Sequence, residues 1–415
     1  MRHSGIEWIG DIPRDWEVNI IGNLYQVRNE KVSDKDFPPL SVTMNGIVPQ
    51  LETAAKTNNG DDRKLVCKGD FAINSRSDRR GSCGVSQYDG SVSLINTILK
   101  PRGSMNSQFY NWLFHTELFA DEFYKWGHGI VDDLWTTRWQ EMKNISIVYP
   151  SLSEQQIIAN YLDEVCGDID DMIALQEQMI EELKAYKQSV ITEAVTKGLN
   201  PNVPMRNSGI DWIGEIPEGW KILQTKRIVH SHLQGYYDAD GYAMSGYRLL
   251  RITDLLNDGN LTLKNAPFVK ETPKIKDFIL QRGDFCFART GGAGSFGYIS
   301  DDVEPAVFAS YLIRFRFFGQ NNNFLRYYFL SYSFISEVNT LIHGGVNKNI
   351  HAENIMETHL PIPPILEQSA IAYYLDEKCS EIDSLIVIKQ VKIEELKEYK
   401  KSIIYEYVTG KKEVV

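Results

Sequence analysis

The chain has 415 residues with 43% hydrophobic and 24% charged side chains, the balance of soluble folded protein with material for more than one core. The net charge of −11 counts against a general nucleic-acid partner, yet residues 151–198 and 364–415 carry −7 and −2 of it, so basic faces remain open on the rest. No apolar run reaches the ~20 residues of a membrane span, and the five cysteines form no C-x-x-C pair. Reduced thiols in the cytoplasm are therefore expected, with no disulfide frame, no metal site and no membrane association. The amino-terminal residues also lack the apolar stretch of a secretory leader.

The chain opens on Ser4-Gly5-Ile6-Glu7-Trp8-Ile9-Gly10-Asp11-Ile12-Pro13, followed by Trp16. The same motif returns as Ser208-Gly209-Ile210-Asp211-Trp212-Ile213-Gly214-Glu215-Ile216-Pro217, followed by Trp220. The tryptophans read as structural anchors, with partner contact as the second reading. After each motif comes a lobe of short β-like runs broken by Gly, Asn and Asp, among them Tyr247–Leu255, Asp284–Ala288 and Ala306–Phe317. The lobes share only traces, such as Gly69-Asp70-Phe71 with Gly283-Asp284-Phe285. Each is expected to close with one aromatic helix, over 109–126 and 324–341.

Each lobe leads into a long helix. Pro150 to Thr196 matches Pro363 to Thr409, including Glu154-Gln155 with Glu367-Gln368 and Tyr161-Leu162-Asp163-Glu164 with Tyr374-Leu375-Asp376-Glu377. The first apolar stripe runs Ala159, Leu162, Cys166, Ile169, Ile173, Gln176, Ile180, Leu183, Lys187 and Val190. Its copy runs from Ala372 through Leu375, Cys379 and Ile382 to Ile403, stepping three and four as in a coiled-coil seam. Cys166 and Cys379 on that seam read as small apolar fillers. Lys184, Lys187, Lys397 and Lys400 read as a solvated face beside the Glu pairs. Gly198 sits where a helix C-cap belongs.

The expected fold is α+β: two mixed α/β lobes separated by two long antiparallel helices in a coiled coil, with a pseudo-two-fold internal repeat. A helix over 153–196 would span ~66 Å at 1.5 Å per residue, and the second can cover its stripe only by running back. The expected boundaries are 1–150, 151–198, 199–363 and 364–415.

Two diverged lobes on a fixed spacer suit an asymmetric, two-part target, and duplex DNA is the natural candidate. Three loops carry candidate contacts. Asn74 to Ser82 holds Arg76, Arg79 and Arg80, whose planar forks suit guanine edges and phosphates; a solvated loop is the alternative. Arg289-Thr290-Gly291-Gly292-Ala293-Gly294-Ser295-Phe296-Gly297 is its counterpart. Its G-x-G-x-x-G spacing would mark a dinucleotide site only between a strand and a helix, so close backbone approach to DNA is the preferred reading. Gly344-Gly345-Val346-Asn347-Lys348-Asn349 offers Asn347 for adenine and Lys348 for phosphate, or a plain turn. Its first-lobe counterpart, His128-Gly129-Ile130-Val131 with Arg138, is a weaker signal. Arg251 either reaches DNA or pairs with Asp254, with alternation putting Arg248 and Ile252 on the opposite strand face.

The doubled opening motif, the Gly-Asp-Phe segments and the Pro-x-x-x-Glu-Gln helix starts resemble the specificity subunits of type I restriction–modification systems. The resemblance covers the whole chain twice. It implies two target-recognition domains, two conserved helical regions pairing antiparallel, and partners: double-stranded DNA, two methyltransferase subunits and two restriction subunits. It also implies that the partners carry the chemistry, so no catalytic residue and no cofactor is expected here. In keeping with that, Phe37-Pro38-Pro39-Leu40 and Ile362-Pro363-Pro364-Ile365 both lack the flanks of a methyltransferase motif, and no G-x-x-x-x-G-K occurs. The competing class is a non-enzymatic coiled-coil scaffold whose lobes bind protein or carbohydrate, which the acidic total favours.

Overall fold

The structure is a computed structural model and describes all residues except 51–59, 77–78, 130–134, 238–240, 293, 302–303, 343–348 and 415. The chain divides into two units, Met1–Glu177 with Gln390–Val415, and Gln178–Lys389.

In the first unit, a four-stranded antiparallel sheet runs in the order Cys83–Val85, Phe71–Asn74, Asn96–Pro101, Tyr25–Arg28. Tyr25 and Phe71 from this sheet meet Phe109, Tyr110, Phe114, Phe119 and Phe123 in one buried aromatic core. The expected single aromatic helix is two, Ser107–Phe114 and Glu117–Lys125. Thr116 divides them: its hydroxyl accepts from Phe119 N and so starts a second helix where the first ends. A satellite core of Leu40, Ile47, Val66, Ala72, Val92 and Ile98 joins the back of this sheet to the hairpin Leu40–Thr43/Gly46–Pro49 and the strands Arg63–Val66 and Gly90–Val92.

The second unit repeats the main sheet strand for strand: Phe296–Tyr298, Phe285–Ala288, Leu312–Phe317, Val229–Gln234. Its aromatic helices are Asn322–Leu330 and Tyr332–Leu341, with Ser331 in the dividing role of Thr116. The accessory sheet differs. Tyr247–Leu250 pairs antiparallel with Phe268–Val269 and parallel with Ala306–Phe308. The strand expected over Tyr247–Leu255 stops at Leu250, because Asp254 folds back onto Arg251 and turns Ile252–Asp254 into a 3-10 helix. The run Ala306–Phe317 is likewise two strands, Ala306–Phe308 and Leu312–Phe317, broken at Ala309–Tyr311.

The shared sequence blocks are the joints of each unit. Trp16 is buried and its indole Nε1 donates to Glu154 Oε1 at 3.0 Å; Trp220 donates to Glu367 Oε2 at 3.1 Å. The neighbouring glutamines are buried as well. Gln155 accepts from Asn106 N and donates to Pro150 O, and Gln368 accepts from Asn321 N and donates to Pro363 O. Each Glu-Gln pair thus holds the opening motif with one side chain and the cap of an aromatic helix with the other. The Gly-Asp-Phe segments are turns with a buried carboxylate. Asp70 caps Cys67 N and takes Arg28 Nε at 2.7 Å, while Asp284 caps Gln281 N and takes Arg316 Nε at 2.6 Å.

The long helices are Leu152–Lys197 and Ile365–Val408, and each contributes one part to each unit. They run antiparallel within both. In the first unit Tyr161 meets Tyr407 (ring centroids 4.5 Å) and Asp170 meets Lys400 (2.6 Å). In the second, Lys187 meets Asp383 at 2.7 Å and Gly198 lies against Glu367. The stripe residues are buried or half-buried throughout. Lys187 and Lys400 correct the expectation of a purely solvated face: they cross the seam to Asp383 and Asp170. Lys184 and Lys397 do pair along their own helix, with Glu181 and Glu394. Both helices end on a glycine in the left-handed region, Gly198 at φ 75° and Gly410 at φ 69°. In the first unit Lys411 then donates to the carbonyls of Ile9 and Asp11, bringing the carboxyl-terminal segment onto the opening motif.

Candidate nucleic-acid interface

The two loops singled out from sequence are the same element in the two units. Residues 75–82 join Phe71–Asn74 to Cys83–Val85, and residues 289–295 join Phe285–Ala288 to Phe296–Tyr298. Each is a hairpin connection at one end of the main sheet. The strand Phe296–Tyr298 takes in Gly297 and no helix opens there, in line with the expectation against a dinucleotide site. Antiparallel pairing leaves no helix N-terminus to receive a pyrophosphate.

A second segment straps each hairpin. In the first unit Arg76 bridges to Thr136, Thr137 N donates to Ser75 O, and the Tyr124 hydroxyl donates to Arg76 O at 2.9 Å. In the second, Thr290 bridges to Asn349, their side chains meet at 2.5 Å, and Ile350 N donates to Arg289 O. These straps end at Arg138 and His351, which cap the short helices Trp139–Met142 and Ala352–Glu357. The weak signals around Arg138 and Asn349 therefore belong beside the strong ones. Sequence kept them apart because more than fifty residues intervene.

A third element completes each end. Ser75 N donates to Ile95 O, and at the matching place Arg289 N donates to Tyr311 O. So a turn bearing exposed Leu94 and Ile95 lies beside the first hairpin, and one bearing exposed Tyr311 beside the second. Sequence reasoning missed these turns, since single exposed apolar residues carry no spacing.

The candidate side chains divide by environment. Arg76, Arg79 and Arg80 are exposed. Arg80 pairs with Asp121, itself half exposed, a contact that yields readily to another anion. Arg76 has no side-chain partner among the described residues. Arg289 is half-buried on the edge of the second hairpin. Arg251 is held by Asp254 through Nε (3.0 Å) and Nη2 (2.9 Å), and Nη2 also meets Asn265 O. The hydrogen bonds it donates to Asp254 hold its pKa above the usual value, so it is a fixed cation. Asn347 and Lys348 lie outside the described residues. The seam cysteines are buried, and burial raises both thiols, Cys166 to about 11, which suits filler rather than nucleophile. Among the described residues no His, Cys, Asp and Glu group could hold a metal ion, and no helix is long and apolar enough to cross a membrane.

The family model for the type I restriction modification DNA specificity domain matches the chain twice, over residues 13–185 and 217–399, once for each run from opening motif to long helix. The chain belongs to that family. The MjaVIII specificity subunit of Methanocaldococcus jannaschii is 27% identical over 96% of this chain and 93% of its own length. The EcoBI specificity subunit of Escherichia coli is 26% identical over 38% of this chain and 35% of its own length. Among solved structures, a chain from a study of complex assembly and conformational transition of the type I R-M system superposes with a TM-score of 0.74. It is 13% identical and the match covers 96% of this chain and 98% of that one. The HsdS subunit from Thermoanaerobacter tengcongensis gives 0.53 at 15% identity over 96% and 98%. These likenesses establish the fold. In this specificity chain the doubled match falls on the elements that carry the paired hairpin ends.

Proposed function

We propose that the chain is the DNA-reading, non-catalytic subunit of a type I restriction–modification complex and recognises an asymmetric two-part site. Residues 1–150 and 199–363 each read one half, and 151–198 with 364–415 form the conserved helical regions. The observation that carries this reading is one sheet end built twice and furnished differently: arginines on the first hairpin, glycines on the second. A conserved frame with diverged reading loops is what two unlike half-sites require. Arg76, Arg79, Arg80, Arg251, Arg289, Asn347 and Lys348 are the proposed DNA contacts.

The chain works with two methyltransferase subunits and two restriction subunits, which supply the chemistry. It resides in the cytoplasm, in keeping with five free cysteines. The test is binding of a duplex by the chain together with its methyltransferase partner. Affinity should depend on sequence and fall steeply with salt, as counterion release demands. Salt-independent binding, or none, would favour a scaffold that holds protein or carbohydrate.

A further inference from the structure

Beside the second hairpin lies a cup of about 390 Å³, walled by Tyr236, Tyr237, Tyr242 and Tyr311 with Arg251 and Ser310. Tyr237, Tyr242 and Tyr311 are 77%, 68% and 60% exposed. So much tyrosine surface gathered in one place, beside Leu249, Ile252 and Ala309, marks a binding surface rather than scatter. The cup is continuous with the hairpin, because the Tyr311 carbonyl accepts from Arg289 N. Its cation does not call for a phosphate: Arg251 is already neutralised by Asp254 and also meets the Tyr242 hydroxyl. What the cup offers is a concave, aromatic face whose one cation is already paired.

We infer that this tyrosine cup receives thymine 5-methyl groups in the major groove and is a specificity determinant of the second unit. The inference rests on the chain's reading as a DNA-binding subunit. Among the four bases thymine alone projects an apolar knob into the major groove. The aromatic walls of the cup give such a knob apolar contact, which cytosine and the purines have no group to make. The first unit has no tyrosine at the matching turn. It presents Leu94 and Ile95 beside arginines, so the two ends differ in the chemistry they read.

The test is a uracil scan with the chain in complex with its methyltransferase subunits. Every thymine of the methylated site is replaced singly by uracil, which deletes one methyl and nothing else. Wild type should lose about three- to fivefold in affinity at one or more thymines of one half-site, the worth of one buried methyl. The Tyr237→Ser and Tyr311→Ser variants should bind thymine and uracil duplexes equally at those positions. They should keep their discrimination in the other half-site, which shows that they are folded. Uracil without effect in wild type, or with the same effect in the variants, overturns the cup. Absence of sequence-dependent binding by wild type would instead overturn the DNA reading itself.

Discussion

Glu154 shows how one residue of the repeated block joins the opening motif to the start of a long helix. Burial alone would raise its pKa, but hydrogen bonds from Ser151 and the Trp16 indole outweigh burial and hold it below its ordinary 4.5. A folded-state pKa depressed in this way stabilises the fold above pH 4.5, and that contribution is lost as the pH falls through the lower, folded value. Glu154→Gln keeps an acceptor for Trp16 and removes the titration. Its stability, followed by chemical denaturation, should therefore decline less than wild type's below pH 4.5. Asp284 is a harsher case. It is 1% exposed, caps a turn and neutralises Arg316. Asp284→Ala should cost roughly 3 kcal/mol, the lower end for breaking a buried pair, since Arg316 keeps some solvent. Arg76→Ala removes an exposed side chain and should leave the melting temperature unchanged. It should weaken duplex binding by about 1–3 kcal/mol, read by fluorescence anisotropy.

At the scale of elements, the long helices were the most legible part of the sequence. Their stripe is a strict three-four repeat, and burial follows it from Ala159 to Val190 and from Ala372 to Ile403. The exceptions are instructive. Lys187 and Lys400 sit at seam positions and look out of place until Asp383 and Asp170 are seen opposite. That pairing needs the partner helix, which no single stripe reveals. The helix ends were half legible. Gly198 was readable as a cap, whereas the equivalent Gly410 lay close to the carboxyl-terminal segment with no following motif to mark it. An added Cβ at Gly410 would come within 2.4 Å of the Pro13 ring, against 3.1 Å from Trp220 at Gly198. Both Gly→Ala changes force a left-handed alanine at ~1 kcal/mol. Gly410→Ala should cost more, with the larger drop in melting temperature. The lobes were poorly legible because their strands are short and their register is set by distant partners. Tyr247–Leu250 lies between one antiparallel and one parallel neighbour, and neither is visible locally. The candidate interface was legible in its hairpins and hidden in its straps and turns, which meet only after folding.

At the scale of the whole molecule, the chain performs each structural operation twice. Trp16 with Glu154 returns as Trp220 with Glu367, Arg28 with Asp70 as Arg316 with Asp284, and Asp170 with Lys400 as Asp383 with Lys187. Each helix gives its aspartate to one unit and its lysine to the other, so the duplication is reciprocal. What differs between units is concentrated in the accessory sheets and the hairpin ends, where a two-part target would be told apart. On the proposed function, both halves read DNA and the helices set the unread gap between the half-sites. That reading is tested by single-molecule methylome sequencing of a host carrying the chain with its partner subunits, beside a version with four residues inserted at matched positions in both helices. Four residues add ~6 Å of helix, or about two base pairs at ~3.4 Å each. The expected result is one asymmetric two-part motif whose halves are unchanged and whose gap grows by about two base pairs. A symmetric or undivided motif, or a gap that stays the same in an active variant, would contradict it.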